Sequence, residues 1–172
     1  MMFSVSAEGQ LSLAGRDVRC VLGRSGIRAA ADKREGDGAT PAGLWPLRSL
    51  LWRPDRLTAP SSRLPARAIE PDDGWCDAPG DPAYNRLVRL PYPASAERMW
   101  REDGVYDLVV VLGYNDTPVV PGAGSAIFVH VVRPDYAVTE GCIAVALKDL
   151  VELVNRAAPG DALRVALLDR PD

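Results

Sequence analysis

The sequence predicts a mostly β protein with one principal helix near its C-terminus. Three observations lead there. Residues 3–22 alternate apolar and polar as strands do. Two later segments, Val105–Tyr114 and Ser125–Arg133, are apolar on successive residues, as strands buried on both faces are. Only Ala146–Ala158 repeats its apolar residues at helical spacing.

Phe3, Val5 and Ala7 alternate into a turn at Glu8-Gly9-Gln10, and Leu11 and Leu13 continue after it. A second turn at Ala14-Gly15 leads to Asp17–Leu22, with Val18, Cys20 and Leu22 on one face. Residues 23–45 form a long polar, Gly-rich stretch, read as a functional or flexible loop. It ends in Asp37-Gly38-Ala39-Thr40-Pro41-Ala42-Gly43, and its glycines lack the spacing and the following Gly-Lys-Ser/Thr of a phosphate loop. A strand is expected over Leu44–Trp52. Residues 53–104 are rich in proline, yet Trp75, Tyr84, Tyr92 and Trp100 punctuate them. Disordered segments are poor in aromatics. The segment is therefore read as an ordered, irregular insertion laid over a core, with a short strand near Arg86–Leu90. Asn115–Gly124 joins the two apolar strands. In the helix, Leu147, Leu150, Val151 and Val154 share a face, and Pro159-Gly160 stops it. Asp161–Leu168 is expected as a last strand.

The 172 residues fit one domain. Hydrophobic residues make up 47% and charged residues 25%, as in ordinary globular proteins. The net charge of −3 favours no nucleic-acid partner. Lysine occurs only at Lys33 and Lys148, and every other cation is arginine. Arginine suits recognition of carboxylates, although genomic base composition produces the same bias and is the simpler source. No segment reaches the ~18 apolar residues of a membrane span. The N-terminus has neither the basic start nor the apolar core of a signal peptide. A cytoplasmic location is therefore expected, or a periplasmic one if an export segment is missing. Cys20, Cys76 and Cys142 are too few for a disulfide framework, and one histidine does not build the usual zinc sets, so no metal site is expected.

One local pattern carries chemistry: Thr139-Glu140-Gly141-Cys142-Ile143-Ala144, between the strand Ser125–Arg133 and the helix. Gly141 permits a sharp bend and a close substrate approach. A helix N-terminus nearby favours thiolate over thiol. The amides of Gly141 and Cys142 are placed to face an oxyanion. His130, the only histidine, lies on the preceding strand, and a histidine is the usual activator of a thiol. The same residues also have plain structural readings: a cysteine after glycine is commonly a small buried hydrophobe, and a strand histidine is commonly a core residue. Cys20, which alternates with Val18 and Leu22, is read as core. Cys76 is read as a loop residue.

Ser125-Ala126-Ile127-Phe128-Val129-His130 followed by Thr139-Glu140-Gly141-Cys142-Ile143 resembles the active-site signature of the YkuD-type L,D-transpeptidase catalytic domain. Asp37-Gly38-Ala39-Thr40-Pro41-Ala42-Gly43 resembles that family's upstream Thr-Pro-x-Gly segment. The resemblance spans roughly residues 3–168. It implies a mixed β-sandwich with a helix behind the catalytic turn. It also implies that Cys142 attacks the diaminopimelate carbonyl of a peptidoglycan stem tetrapeptide, with His130 as base and the amides of Gly141 and Cys142 as oxyanion hole. D-Alanine leaves, a thioester forms, and an amine or water resolves it. No cofactor is required.

The chain departs from the family pattern in three ways. Glu140 stands where the family usually has histidine, and Ala144 where it usually has arginine. The His–Cys spacing is short, and Val131 rather than glycine follows His130. Arg133 or Arg24 is the expected substitute for the arginine, and Glu140 is expected to bind an amine or orient His130. Tyr114 and Asn115 are read as a pocket edge, although Asn115-Asp116 also reads as a plain turn. The leading expectation is an L,D-carboxypeptidase that trims recycled tetrapeptides. The alternatives are a periplasmic transpeptidase, a non-catalytic peptidoglycan-binding module, and a redox sensor using Cys142.

Overall fold

A computed structural model describes residues 1–167. Its strands are β1 (Met2–Val5), β2 (Gln10–Leu13), β3 (Arg16–Val21), β4 (Ile27–Ala29), β5 (Thr40–Trp52), β6 (Ala66–Ala68), β7 (Asp73–Cys76), β8 (Leu87–Arg89), β9 (Ala96–Arg98), β10 (Leu108–Leu112), β11 (Phe128–Val131), β12 (Ile143–Val145) and β13 (Ala162–Val165). The helix α1 spans Leu147–Arg156.

Eight strands close on themselves in the order β10-β11-β12-β3-β2-β1-β13-β5, with β5 paired back to β10. Two strands belong to both layers of this ring. β3 pairs β2 along Arg16–Arg19 and then β12 at Cys20–Val21. β5 pairs β13 along Gly43–Pro46 and then β10 along Leu47–Trp52. The β1–β13 and β11–β12 pairs are parallel, whereas their neighbours are antiparallel. The result is the expected mixed β-sandwich. Its interior takes the inward half of each alternation: Phe3, Val5, Leu11, Leu13, Leu163 and Val165 from one layer, and Leu108, Val110, Val129, Ile143 and Val145 from the other. Leu150, Leu153 and Val154 of α1 join this core.

The outward faces of β10, β11 and β12 are buried too. Val109, Val111, Phe128 and Cys142 pack with Ile69 and Met99 of the 53–104 region and with Tyr106. Burial on both faces explains why these strands are apolar at successive residues. The region itself contains β6 and a three-stranded sheet, β8-β7-β9. Buried Arg53 holds its start. The guanidinium lies 3.7 Å from the Trp100 ring centroid and forms two 2.8 Å bonds to Asp55. Such a stacked, paired arginine is tolerated in a core.

The elements differ from expectation mostly at their ends. The two central strands are only Leu108–Leu112 and Phe128–Val131. Ala126, with φ +54°, breaks the second before it pairs. β5 begins at Thr40 rather than Leu44, because Thr40–Ala42 pairs β4 inside what reads as a loop. β12, only three residues long, separates the cysteine turn from α1 and leaves no periodicity to detect. The last strand ends at Val165, and Leu168 of the expected strand lies outside the described residues.

Candidate active site

The cysteine turn is held by three interlocked segments. Thr139 accepts from the Gly141 amide through Oγ1 (3.1 Å) and donates to the Cys142 carbonyl (2.7 Å). The Arg24 amide donates to the Thr139 carbonyl (2.8 Å), and the Thr139 amide donates to the Leu22 carbonyl (3.0 Å). Gly141 has φ +139°, and a Cβ there would lie 2.9 Å from the Ala39 carbonyl oxygen. Both facts require glycine. The upstream Asp37–Gly43 segment therefore packs its backbone directly beneath the turn. It is stiffened in its own right. Asp37 accepts from the Arg34 and Ala39 amides (both 2.9 Å) and from Lys33 Nζ (2.7 Å), while Thr40 Oγ1 accepts from the Gly23 amide (2.9 Å). Two motifs a hundred residues apart in sequence thus make one support.

Pleat alternation sets the direction of Cys142 and His130. Val129, Ile143 and Val145 enter the ring core, so His130, Cys142 and Ala144 face the other way. The β11–β12 register sets His130 opposite Ala144. The Cys142 thiol donates to the Ala126 carbonyl (3.0 Å) and accepts from the Phe128 amide (3.4 Å). His130 Nδ1 lies 2.9 Å from the Val131 carbonyl. A carbonyl only accepts, so Nδ1 carries the proton and Nε2 keeps its lone pair. The Tyr106 ring stands edge-on to the imidazole at 5.4 Å.

Burial governs the electrostatics. It pushes the Cys142 thiol up to about 12, with the Glu97 carboxylate adding in the same direction. It pulls His130 down to about 4. The resting pair at neutral pH is therefore thiol plus neutral imidazole, with a lone pair on Nε2 but with protonation disfavoured by burial. This corrects the expectation of a thiolate favoured by a helix N-terminus: α1 starts at Leu147, beyond β12. The Gly141 amide is committed to Thr139 Oγ1, which leaves the Cys142 amide as the available member of the expected oxyanion pair.

A cavity of about 640 Å³ lies over Cys142, His130 and Ala144, and Arg133 and Glu140 also line it. Glu140 pairs with Arg24 (2.9 Å) rather than orienting His130, and Arg133 lies 3.6 Å from Asp103. Tyr114 and Asn115 lie outside this group. The Tyr114 hydroxyl donates to the Ala123 carbonyl, and the ring stands edge-on to Trp45. Asn115 closes the 115–124 loop, donating to the Val120 and Gly124 carbonyls and accepting from the Val120 amide.

Sequence reasoning missed much of the cavity: Lys33, Glu35, Asp77, Glu97, Arg101, Tyr106 and Ser125. It also missed buried Asn85, which ties the insertion to the rim. Its carbonyl accepts from Trp75 Nε1 (2.9 Å) and the Ala126 amide (3.0 Å), and its amide donates to the carbonyls of Tyr114 (3.1 Å) and Asn115 (2.8 Å). Among the described residues, the one acidic cluster with metal-like donor spacing is Glu70, Asp72 and Asp73, which Arg67 and Arg89 neutralise.

The L,D-transpeptidase catalytic domain family (YkuD) matches residues 3–165. No curated protein sequence matches. Similar solved structures include an L,D-transpeptidase from Mycobacterium smegmatis, at 13% identity and a TM-score of 0.46, covering 96% of this chain and 58% of that one. L,D-transpeptidase 3 from Mycobacterium tuberculosis is similar at 15% identity and a TM-score of 0.48, covering 96% and 60%. The chain thus spans about three fifths of the length of these proteins. The family match covers nearly the whole described chain, including the turn at Cys142 and the strand bearing His130, and the chain belongs to the L,D-transpeptidase catalytic domain family.

Proposed function

We propose that the protein is a cysteine acyl transferase acting on peptidoglycan stem tetrapeptides at the bond between diaminopimelate and D-alanine. The observation that carries this reading is the placement of His130 on β11 and of Cys142 immediately before its partner strand β12, beneath one cavity. His130 Nε2 takes the thiol proton as the sulfur attacks the diaminopimelate carbonyl carbon. The Cys142 amide faces the resulting oxyanion. Collapse breaks the C–N bond, and D-alanine leaves with the proton returned by His130. A thioester remains on Cys142. Water resolving it gives a tripeptide, the L,D-carboxypeptidase outcome of recycling in the cytoplasm. An amine resolving it gives a cross-link or an exchanged D-amino acid, which would place the enzyme in the periplasm.

Incubation with free tetrapeptide tests the reading. Release of D-alanine by the wild type and its loss in Cys142→Ala are expected. Tripeptide alone identifies the carboxypeptidase and dimeric peptides the transpeptidase. Full product formation by Cys142→Ala would overturn the assignment of Cys142 as nucleophile, and tetrapeptide binding without D-alanine release by the wild type would favour a binding module.

A further inference from the structure

The cavity beside Cys142 has an acidic wall that its cations, Lys33, Arg101 and Arg133, only partly neutralise. Three carboxylates contribute to it: Glu35, Asp77 and Glu97. The cations around them are largely committed elsewhere. Lys33 bonds Asp37 at 2.7 Å. Arg101 bonds Asp103 at 2.5 and 3.0 Å and comes only within 3.7 Å of Glu97. Asp77 forms no ion pair among the described residues, and its Oδ1 is buried without a hydrogen-bond partner. Ser125, on the same cavity, is 8% exposed, and its Oγ is also buried without a partner. Buried polar atoms are normally satisfied, so two orphans on one cavity point to donors supplied from outside. The other two carboxylates are fixed in place. Tyr106 donates to Glu97 (2.7 Å), and Tyr84 donates to Glu35.

We propose that this wall is a subsite for a primary ammonium group, held by Asp77 and Glu97 with Ser125 Oγ as an additional acceptor. An ammonium offers three donors and one positive charge, which matches Asp77 Oδ1 and Ser125 Oγ, both without a partner, while Glu97 adds a second carboxylate beside its Tyr106 bond. Burial holds the Glu97 carboxyl above its usual range against the Tyr106 hydrogen bond and the Arg101 charge, the charges of Asp77 and Glu35 add to the rise, and a bound cation would relieve it. The three carboxylates do not have the donor spacing of a single metal ion, which among the described residues only Glu70, Asp72 and Asp73 show. The proposal rests on the acyl-transfer reading for the ligand's class. The ammonium is then either the free side-chain amine of the diaminopimelate donor or the amine of the acyl acceptor.

Binding to the Cys142→Ala protein separates these sources without turnover. One calorimetric pair is the stem tetrapeptide with its diaminopimelate side-chain amine free or acetylated. The other pair is D-alanine and N-acetyl-D-alanine. We expect the free amine to bind roughly tenfold more tightly in one pair, as for a desolvated charge-assisted contact. That preference should collapse when Asp77→Asn or Glu97→Gln is added, with thermal unfolding confirming that the variants fold. The pair that responds identifies the donor or the acceptor as the source. No preference in either pair, or an undiminished preference in both added variants, would overturn the subsite. Thioester formation on wild-type Cys142 is read separately, so failure of the subsite and failure of the acyl-transfer reading remain distinguishable.

Discussion

The two walls of the cavity differ in kind. One wall belongs to the closed ring: His130 on β11 lies in register with Ala144 on β12, Cys142 stands just before β12, and all three are nine-tenths buried or more. It is electrically quiet, a neutral thiol beside a neutral imidazole. The other wall comes largely from the 53–104 insertion and the Lys33–Gly36 loop, and it carries the charge. The contrast teaches a division of labour. Reacting atoms need fixed geometry, which a strand buried on both faces supplies. Recognition groups need reach and variety, which loops supply. The expected effects below test that division, in decreasing size.

His130→Gln should leave the ring folded and slow thioester formation roughly 10²–10⁴-fold, the usual contribution of a positioned base. Single-turnover kinetics with tetrapeptide measure it, and an unchanged rate would remove His130 from the mechanism. Asn85→Ala strikes the joint between the walls. It breaks four hydrogen bonds at a buried site. The expected loss of stability is roughly 2–4 kcal/mol by urea unfolding, because partners such as Trp75 Nε1 are left unsatisfied.

The quiet wall should also show in pH dependence. Folded His130 titrates near 4 and the unfolded residue near 6.5. As pH falls through this window, the unfolded chain binds the proton first. The stability held by the neutral imidazole is complete above 6.5 and is lost as pH approaches 4. The decline should reach up to about 3 kcal/mol and be absent in His130→Gln. Parallel profiles for the two proteins would contradict the buried neutral imidazole. The smallest effect is expected at Glu140. Its ion pair with Arg24 is exposed, so Glu140→Gln should change stability by less than about 1 kcal/mol.

The ring wall was legible in the sequence and the charged wall was not. Phe128-Val129-His130 and Gly141-Cys142-Ile143 announce themselves because a continuous apolar run and a glycine-bounded turn are local signals. The Asp37–Gly43 motif was visible too, although its reason, the contact of Ala39 with Gly141, appears only in three dimensions. Glu97 and Asp77 carry no such mark. They reach the cavity through β7 and β9, whose pairing in a small sheet is set by tertiary contacts that proline-rich sequence does not encode as a period. Tyr114 and Asn115 mislead for the opposite reason. Their turn chemistry is conspicuous in sequence, and the structure uses it to close a loop.

The proposed chemistry turns on a thioester at Cys142. Intact-mass and peptide mass spectrometry after brief mixing with stem tetrapeptide tests it most directly. One acyl adduct is expected on Cys142, equal to the tetrapeptide less D-alanine, and none on Cys20 or Cys76, which are buried away from His130. An adduct on either of those cysteines, or tetrapeptide turnover with Cys142 never modified, would contradict it.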